Sequence, residues 1–287
     1  TDAGNLNLDS TVTSLGTLSD NFGTVTYDGI DQTVFSDEYY SLTAGGGSGT
    51  KTLGGEVTVA GDLTIDTDVT IAMDTHLLTV TNITDIDGTL AVAGDTLTLD
   101  GTSDIDGTIT ISTGTVDANG AFDGTNGTIT FTDAGNLTLD STVTSLGTLS
   151  DNFGTVTYDG VDQTVFSDVY YNLRAGGGSG TKTLGGDVTV AGIFTVDTLV
   201  TTAMGGNNLT VTDETDINGT ITISTATLDA NGAFDATGGT ITFTDAGNLT
   251  LDSTVTSLGT LSDNFGTVTY DGVDQTVFSD DYYSLTA

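Results

Sequence analysis

The chain has no cysteine, no proline and no tryptophan, and only 3 basic side chains against 40 acidic ones. Without cysteine there is no disulfide framework, no thiolate nucleophile and no thiolate metal site. A single histidine, His76, leaves little base chemistry for a serine- or cysteine-type hydrolase. A formal net charge of -37 repels phosphate, which argues against nucleic acid and against an anionic membrane surface as partners. No apolar run approaches the roughly 18 residues of a spanning helix, so no membrane insertion is expected. Glutamate is limited to Glu38, Glu56 and Glu214, and strong helix formers are scarce throughout.

What is present reads as strand and turn. Threonine is the most frequent residue, aspartate supplies nearly all of the acids, and glycine is abundant. Threonine favours the pleated, half-buried surface of a sheet, while aspartate and glycine favour turns. Apolar residues alternate with threonine, as in Val57-Thr58-Val59, Leu63-Thr64-Ile65, Val69-Thr70-Ile71 and Leu97-Thr98-Leu99. This period of two points one side chain inward and the next outward. The runs are short and bounded by Gly, Asp or Asn.

Self-similarity organises the whole chain. Residues 1–44 return as 132–175 and again as 244–287, at offsets of 131 and 112. This defines a first long repeat over 1–131, a second over 132–243 and the start of a third over 244–287. The expectation is one continuous solenoid, excerpted from a longer array. The first long repeat is the longer of the two, and the difference has a visible source. Asp85-Ile86-Asp87-Gly88-Thr89 recurs at an offset of 19 as Asp104-Ile105-Asp106-Gly107-Thr108, whereas the second repeat holds only Asp216-Ile217-Asn218-Gly219-Thr220. A close-packed globular core would not absorb such a change, but a stack whose coils touch only their neighbours does. The fold class expected is therefore all-β: a right-handed parallel β-helix, or β-solenoid, of about 19–20 residues per coil.

The stretch Gly154-Thr155-Val156-Thr157-Tyr158-Asp159-Gly160 is followed by Asp162-Gln163-Thr164-Val165, Tyr170-Tyr171-Asn172-Leu173 and Lys182-Thr183-Leu184. Together these resemble repeats of the very large β-helical, adhesin-like or filament-forming surface proteins of Bacteroidetes and related bacteria. The first repeat matches through Gly23–Gly29, 31–34, Tyr39-Tyr40 and Lys51-Thr52-Leu53, and departs at Ser41. The resemblance covers this part of each long repeat, and the rest matches only general β-helix alternation. It implies a secreted or cell-surface location and carries over no catalytic residue.

Calcium is the most plausible ion, since hard cations take carboxylate and carbonyl oxygens, and Asp85, Asp87, Asp104 and Asp106 are the candidate ligands. The calcium-roll nonapeptide and the EF-hand loop are both missing, so solvated corner carboxylates are the plainer reading. Lys51 and Lys182 occupy the same place in Gly-Thr-Lys-Thr-Leu-Gly-Gly. They read as surface lysines paired with a nearby aspartate, or as an inter-subunit contact or cross-link. Phe153, Tyr158 and Phe166 are expected to fill wider coils, with Gly176-Gly177-Gly178-Ser179-Gly180 as a protruding loop. An aromatic surface for sugar or partner chains is the alternative. His76 is replaced by Asn207 in the second repeat, which fits an incidental residue.

The functional expectation is a structural segment of an extracellular fibre or surface stalk, not an enzyme. It would self-associate through further repeats or lateral contacts, and it could hold surface polysaccharide. The alternatives are a binding module that uses outward threonines (Thr108/Thr110, Thr128/Thr130, Thr155/Thr157, Thr220/Thr222) against ice, a crystalline surface or a polysaccharide, and a polysaccharide-active β-helix enzyme. The last would have to rely on Lys51, Lys182 and Arg174 for its positive charge.

Overall fold

The computed structural model describes residues 4–18, 22–262 and 264–287. Among these are forty short strands and no helix. Every strand pairing is parallel, so the chain is a β-solenoid, as the alternation and the repeats predict. It divides into two compact units, 1–154 and 155–287.

Apart from the turns that begin at Asn5 and at Thr267, which carry a described strand on one sheet only, each unit is built from turns of three strands, one on each of three sheets. In the first unit the first sheet contains Leu63–Ile65, Thr84–Ile86 and Ser103–Ile105. The second contains Val69–Ala72, Thr89–Val92 and Thr108–Ile111, and the third Leu78–Val80, Thr96–Leu99 and Thr115–Ala118. Leu78 lies beside Leu97 and Thr108 beside Thr128, the coil length that the repeats predict. The second unit follows this plan, with Phe194 beside Thr215, Thr201 beside Thr220 and Leu209 beside Leu228.

The core is the set of inward ladders. Ile71, Leu90, Ile109 and Ile129 stack on successive turns and are buried. Burying one such side chain contributes roughly 1.5–3 kcal/mol. The threonines between them face outward and are half-buried by their own neighbours.

The turn that carries the tyrosines is not wide. Thr24 pairs with Ser41, and Thr155 with Asn172, so the coil there is shorter than the others. The aromatic rings replace missing chain. Tyr158 and Tyr170 are fully buried, with hydroxyls 3.0 Å apart. The Tyr170 hydroxyl donates to the Phe166 carbonyl at 2.9 Å, and the Phe166 N–H donates to the Tyr158 hydroxyl at 3.2 Å. Tyr27, Tyr39 and Phe35 repeat the network in the first unit. Phe166 is half-buried, while Phe153, expected inside, is 54% exposed.

The inserted coil is also explicit. Asp85 pairs with Asp104 and Thr89 with Thr108, so the extra segment of the first long repeat is one complete turn. A long repeat is nevertheless not a whole number of turns. In the second unit the copies Thr155–Tyr158 and Thr267–Tyr270 lie on different sheets. They are seventeen strands apart, which is five turns and two strands. In the first unit the copies Asn5–Leu8 and Asn136–Leu139 likewise lie on different sheets.

Candidate functional site: two outer faces and a lysine corner

Outward residues sort the sheets by chemistry. On the first sheet of the first unit, Asp85, Asp104 and Asp123 stack on three successive turns. Burial raises the Asp85 carboxyl above its ordinary value, and the charges of Asp87, Asp104, Asp106 and Asp66 raise it further. Asp104 is raised for the same reasons, by burial and by Asp106, Asp123 and Asp87. Asp106 accepts from the Asn126 side-chain amide at 2.9 Å. The four aspartates singled out for calcium are thus brought near one another in file, not converged on a point. Among the described residues, no group of three or more His, Cys, Asp or Glu could hold a metal ion.

The second sheet is different. One outward column of the first unit reads Thr50, Thr70, Thr89, Thr108, Thr128, Thr148. The column two residues along reads Thr52, Ala72, Ala91, Thr110, Thr130, Ser150. In the second unit the columns are Thr181, Thr201, Thr220, Thr240, Thr260 and Thr183, Ala203, Thr222, Thr242, Ser262. Neither face carries a charge within these columns. Of the threonine pairs read from the sequence, Thr108/Thr110, Thr128/Thr130 and Thr220/Thr222 fall here. Thr155/Thr157 lies on another sheet, beside Asn172 and Arg174.

The two lysines correct the sequence reading. Lys51 and Lys182 are 0% exposed, so neither is a surface residue within reach of another subunit. Their strands, Gly49–Leu53 and Gly180–Leu184, point positions 51 and 182 inward, where the ladder continues as Ile71 and Thr202. The Lys51 ammonium donates to the Gly29 carbonyl and, at 3.2 Å, to that of Ile30. Lys182 does the same to Gly160 and, at 3.3 Å, to Val161. Burial lowers both lysine pKa values, and the charges of Asp31 and Asp28, or of Asp159 and Asp162, partly oppose it. An inward lysine in a strand of alternating pattern could have been read from its parity with Leu53 and Leu184.

The corner above each lysine is tied from several sides. Gln32 accepts from the Gly29 N–H at 2.8 Å and donates to the Leu8 carbonyl at 2.6 Å. Asp31 accepts from the Thr50 N–H at 2.9 Å. In the second unit Gln163 accepts from Gly160 and Asp162 from Thr181 in the same way. The glycine run packs on this corner: Gly46 and Gly177 have φ of 92° and 93°, and a Cβ at either would overlap the carbonyl of Asp28 or Asp159. The middle of the run is exposed, at Gly46, Gly47 and Ser48 in the first unit and at Gly178 and Ser179 in the second, while Gly45 and Gly176 are buried.

Arg174 is outside, in a bidentate pair with Asp197 at 2.8 and 3.0 Å. With its side chain 53% exposed, the pair contributes less than about 1 kcal/mol. His76 is half-buried and its backbone N–H donates to the Met73 carbonyl. Asn207, its counterpart, holds the Leu184 carbonyl through its side chain at 2.7 Å. No described helix is long and apolar enough to cross a membrane. Comparison of the chain with protein-family models, curated proteins and solved structures gives no match.

Proposed function

We propose that the chain is a repeat segment of an extracellular fibre or surface stalk. The observation that carries this reading is the complete turn gained by the first long repeat, with Asp85 on Asp104, Leu90 on Ile109 and Leu97 on Val116. A site assembled from side chains on several turns is displaced when a turn is inserted between them. A spacer merely becomes about 4.8 Å longer. The fixed ladders on either side support a role in which length and stiffness matter more than one constellation of groups. The acidic columns support solubility and a location rich in counter-ions. The resemblance to adhesin-like repeats supports a secreted or surface protein that associates with further copies of itself.

Negative-stain electron microscopy of the purified parent protein checks the reading. Thin, stiff fibres are expected, and compact globules would remove it.

A further inference from the structure

The uncharged outer columns recur in both units of a protein with 40 acidic residues. In each unit they end in a shallow cavity at the lysine corner. Asp31, Gln32, Thr33, Thr50 and Thr52 line about 320 Å³ in the first unit. Asp162, Gln163, Thr164, Thr181 and Thr183 line about 430 Å³ in the second. The corner is held by a buried ammonium, an expensive group that the following turns of the ladder replace with Ile71 and Leu90 in the first unit and with Thr202 and then Ile221 in the second. Departure from local economy of this kind marks places a fold retains for a purpose.

We propose that this threonine sheet, with the cavity at its end, is a docking face for the flat surface of an uncharged, hydroxyl-rich polymer, a crystalline neutral polysaccharide. Charge selects the class. A polyanion is repelled by the protein as a whole, and a polycation would be drawn to the Asp85–Asp104–Asp123 column instead. Each threonine offers a methyl group and a hydroxyl on one carbon, matching the C–H and O–H groups of a sugar ring. The rows recur about every 4.8 Å and the two columns lie about 7 Å apart, so the face is itself a lattice.

Area decides against a second copy of the chain as occupant. Six rows of two columns offer on the order of 400 Å², whereas a stable protein interface takes about 800 Å² from each partner. A repeating polymer instead gains from many weak contacts held together. Ice would require an unbroken array of hydroxyls, and the second column is interrupted by Ala72, Ala91 and Ala203.

The test is co-sedimentation of the full chain with microcrystalline cellulose and with chitin. The chain is expected to pellet with at least one solid. Thr110→Lys with Thr222→Lys, one bulky charge per face, should weaken pelleting at least tenfold. Thr79→Lys, outward on the third sheet, should leave it unchanged. Thr110→Val with Thr222→Val keeps the shape without the hydroxyls and should weaken it about threefold, and melting curves confirm that each variant folds. Failure to pellet with either solid overturns the proposal, as does equal loss in the Thr79→Lys protein. Thermal hysteresis or dimerisation abolished by the same two lysines would reassign the face to ice or to self-association. Fibres in the microscope with no pelleting would leave the stalk reading standing and remove only this one.

Discussion

At the scale of single residues, the costly groups are polar ones placed inside a ladder of apolar ones. Thr202 stacks between Lys182 and Ile221, and its hydroxyl has no hydrogen-bond partner. The first unit places Ile71 at the same point, next to Lys51. Replacing Thr202→Ile should therefore stabilise the protein by about 1 kcal/mol, since an unpaired buried hydroxyl is lost and apolar contact is gained. Urea unfolding measures this, and a lower midpoint would show that the site is already full. The tyrosine pairs give a pH dependence. Burial pushes the Tyr158 hydroxyl up to about 12, against the opposing effect of its bonds to Tyr170 and Phe166. A folded value above the unfolded one, about 10, means that the stability it reflects is fully present below pH 10. It is lost as pH rises through 12, by on the order of 2–3 kcal/mol. Denaturation at pH 8 to 12 should show a steeper decline in the parent chain than in Tyr158→Phe. Equal slopes would mean that the hydroxyl titrates as if free.

At the scale of elements, the tightest constraint is the glycine run on the lysine corner. Gly177 combines a φ of 93° with a position against the Asp159 carbonyl. Substitution Gly177→Ala adds left-handed strain to a backbone clash and should cost about 2–3 kcal/mol. Gly178, also at positive φ but with open space around it, carries the strain alone, so Gly178→Ala should cost about 1 kcal/mol. Thermal melting separates the two, and equal losses would show that the clash is relieved by movement of the loop. The strands themselves were legible. Val57–Val59, Leu63–Ile65 and Thr96–Leu99 bury the alternate residues that the pattern names. The lysine corner was half-legible: the recurrence of Lys51 and Lys182 singled them out, but a charged side chain reads first as a surface residue paired with an aspartate. Parity along the strand, together with the carbonyls of Gly29 and Gly160 that receive them, placed them inside.

At the scale of the whole molecule, the turn is the unit of change. Ser103 pairs with Phe122 and Asp104 with Asp123, so removing residues 103–121 closes the ladders of the first unit on themselves. That deletion should fold cooperatively, with a melting temperature within a few degrees of the parent, because each remaining turn keeps equivalent neighbours. Removing residues 103–111, about half a turn, should abolish the transition in that unit, since it moves every later strand to the wrong sheet. Circular dichroism melting of both proteins decides this, and a well-folded half-turn deletion would refute the stacking rule.

The sequence by itself determined the strand period, the length of the coil and the existence of a removable single-coil unit, because each is a local spacing. It also determined which outward positions are threonine and which aspartate. Only the tertiary structure decided how those positions are grouped. The sheet on which a strand falls depends on the running count of strands, and a long repeat ends two strands past a whole turn. Thr110 and Thr130 therefore share an uncharged column, while Asp85 and Asp104 share a charged one. The aspartates proposed for calcium form a file with no point of convergence, because side chains on successive turns point the same way, parallel and outward.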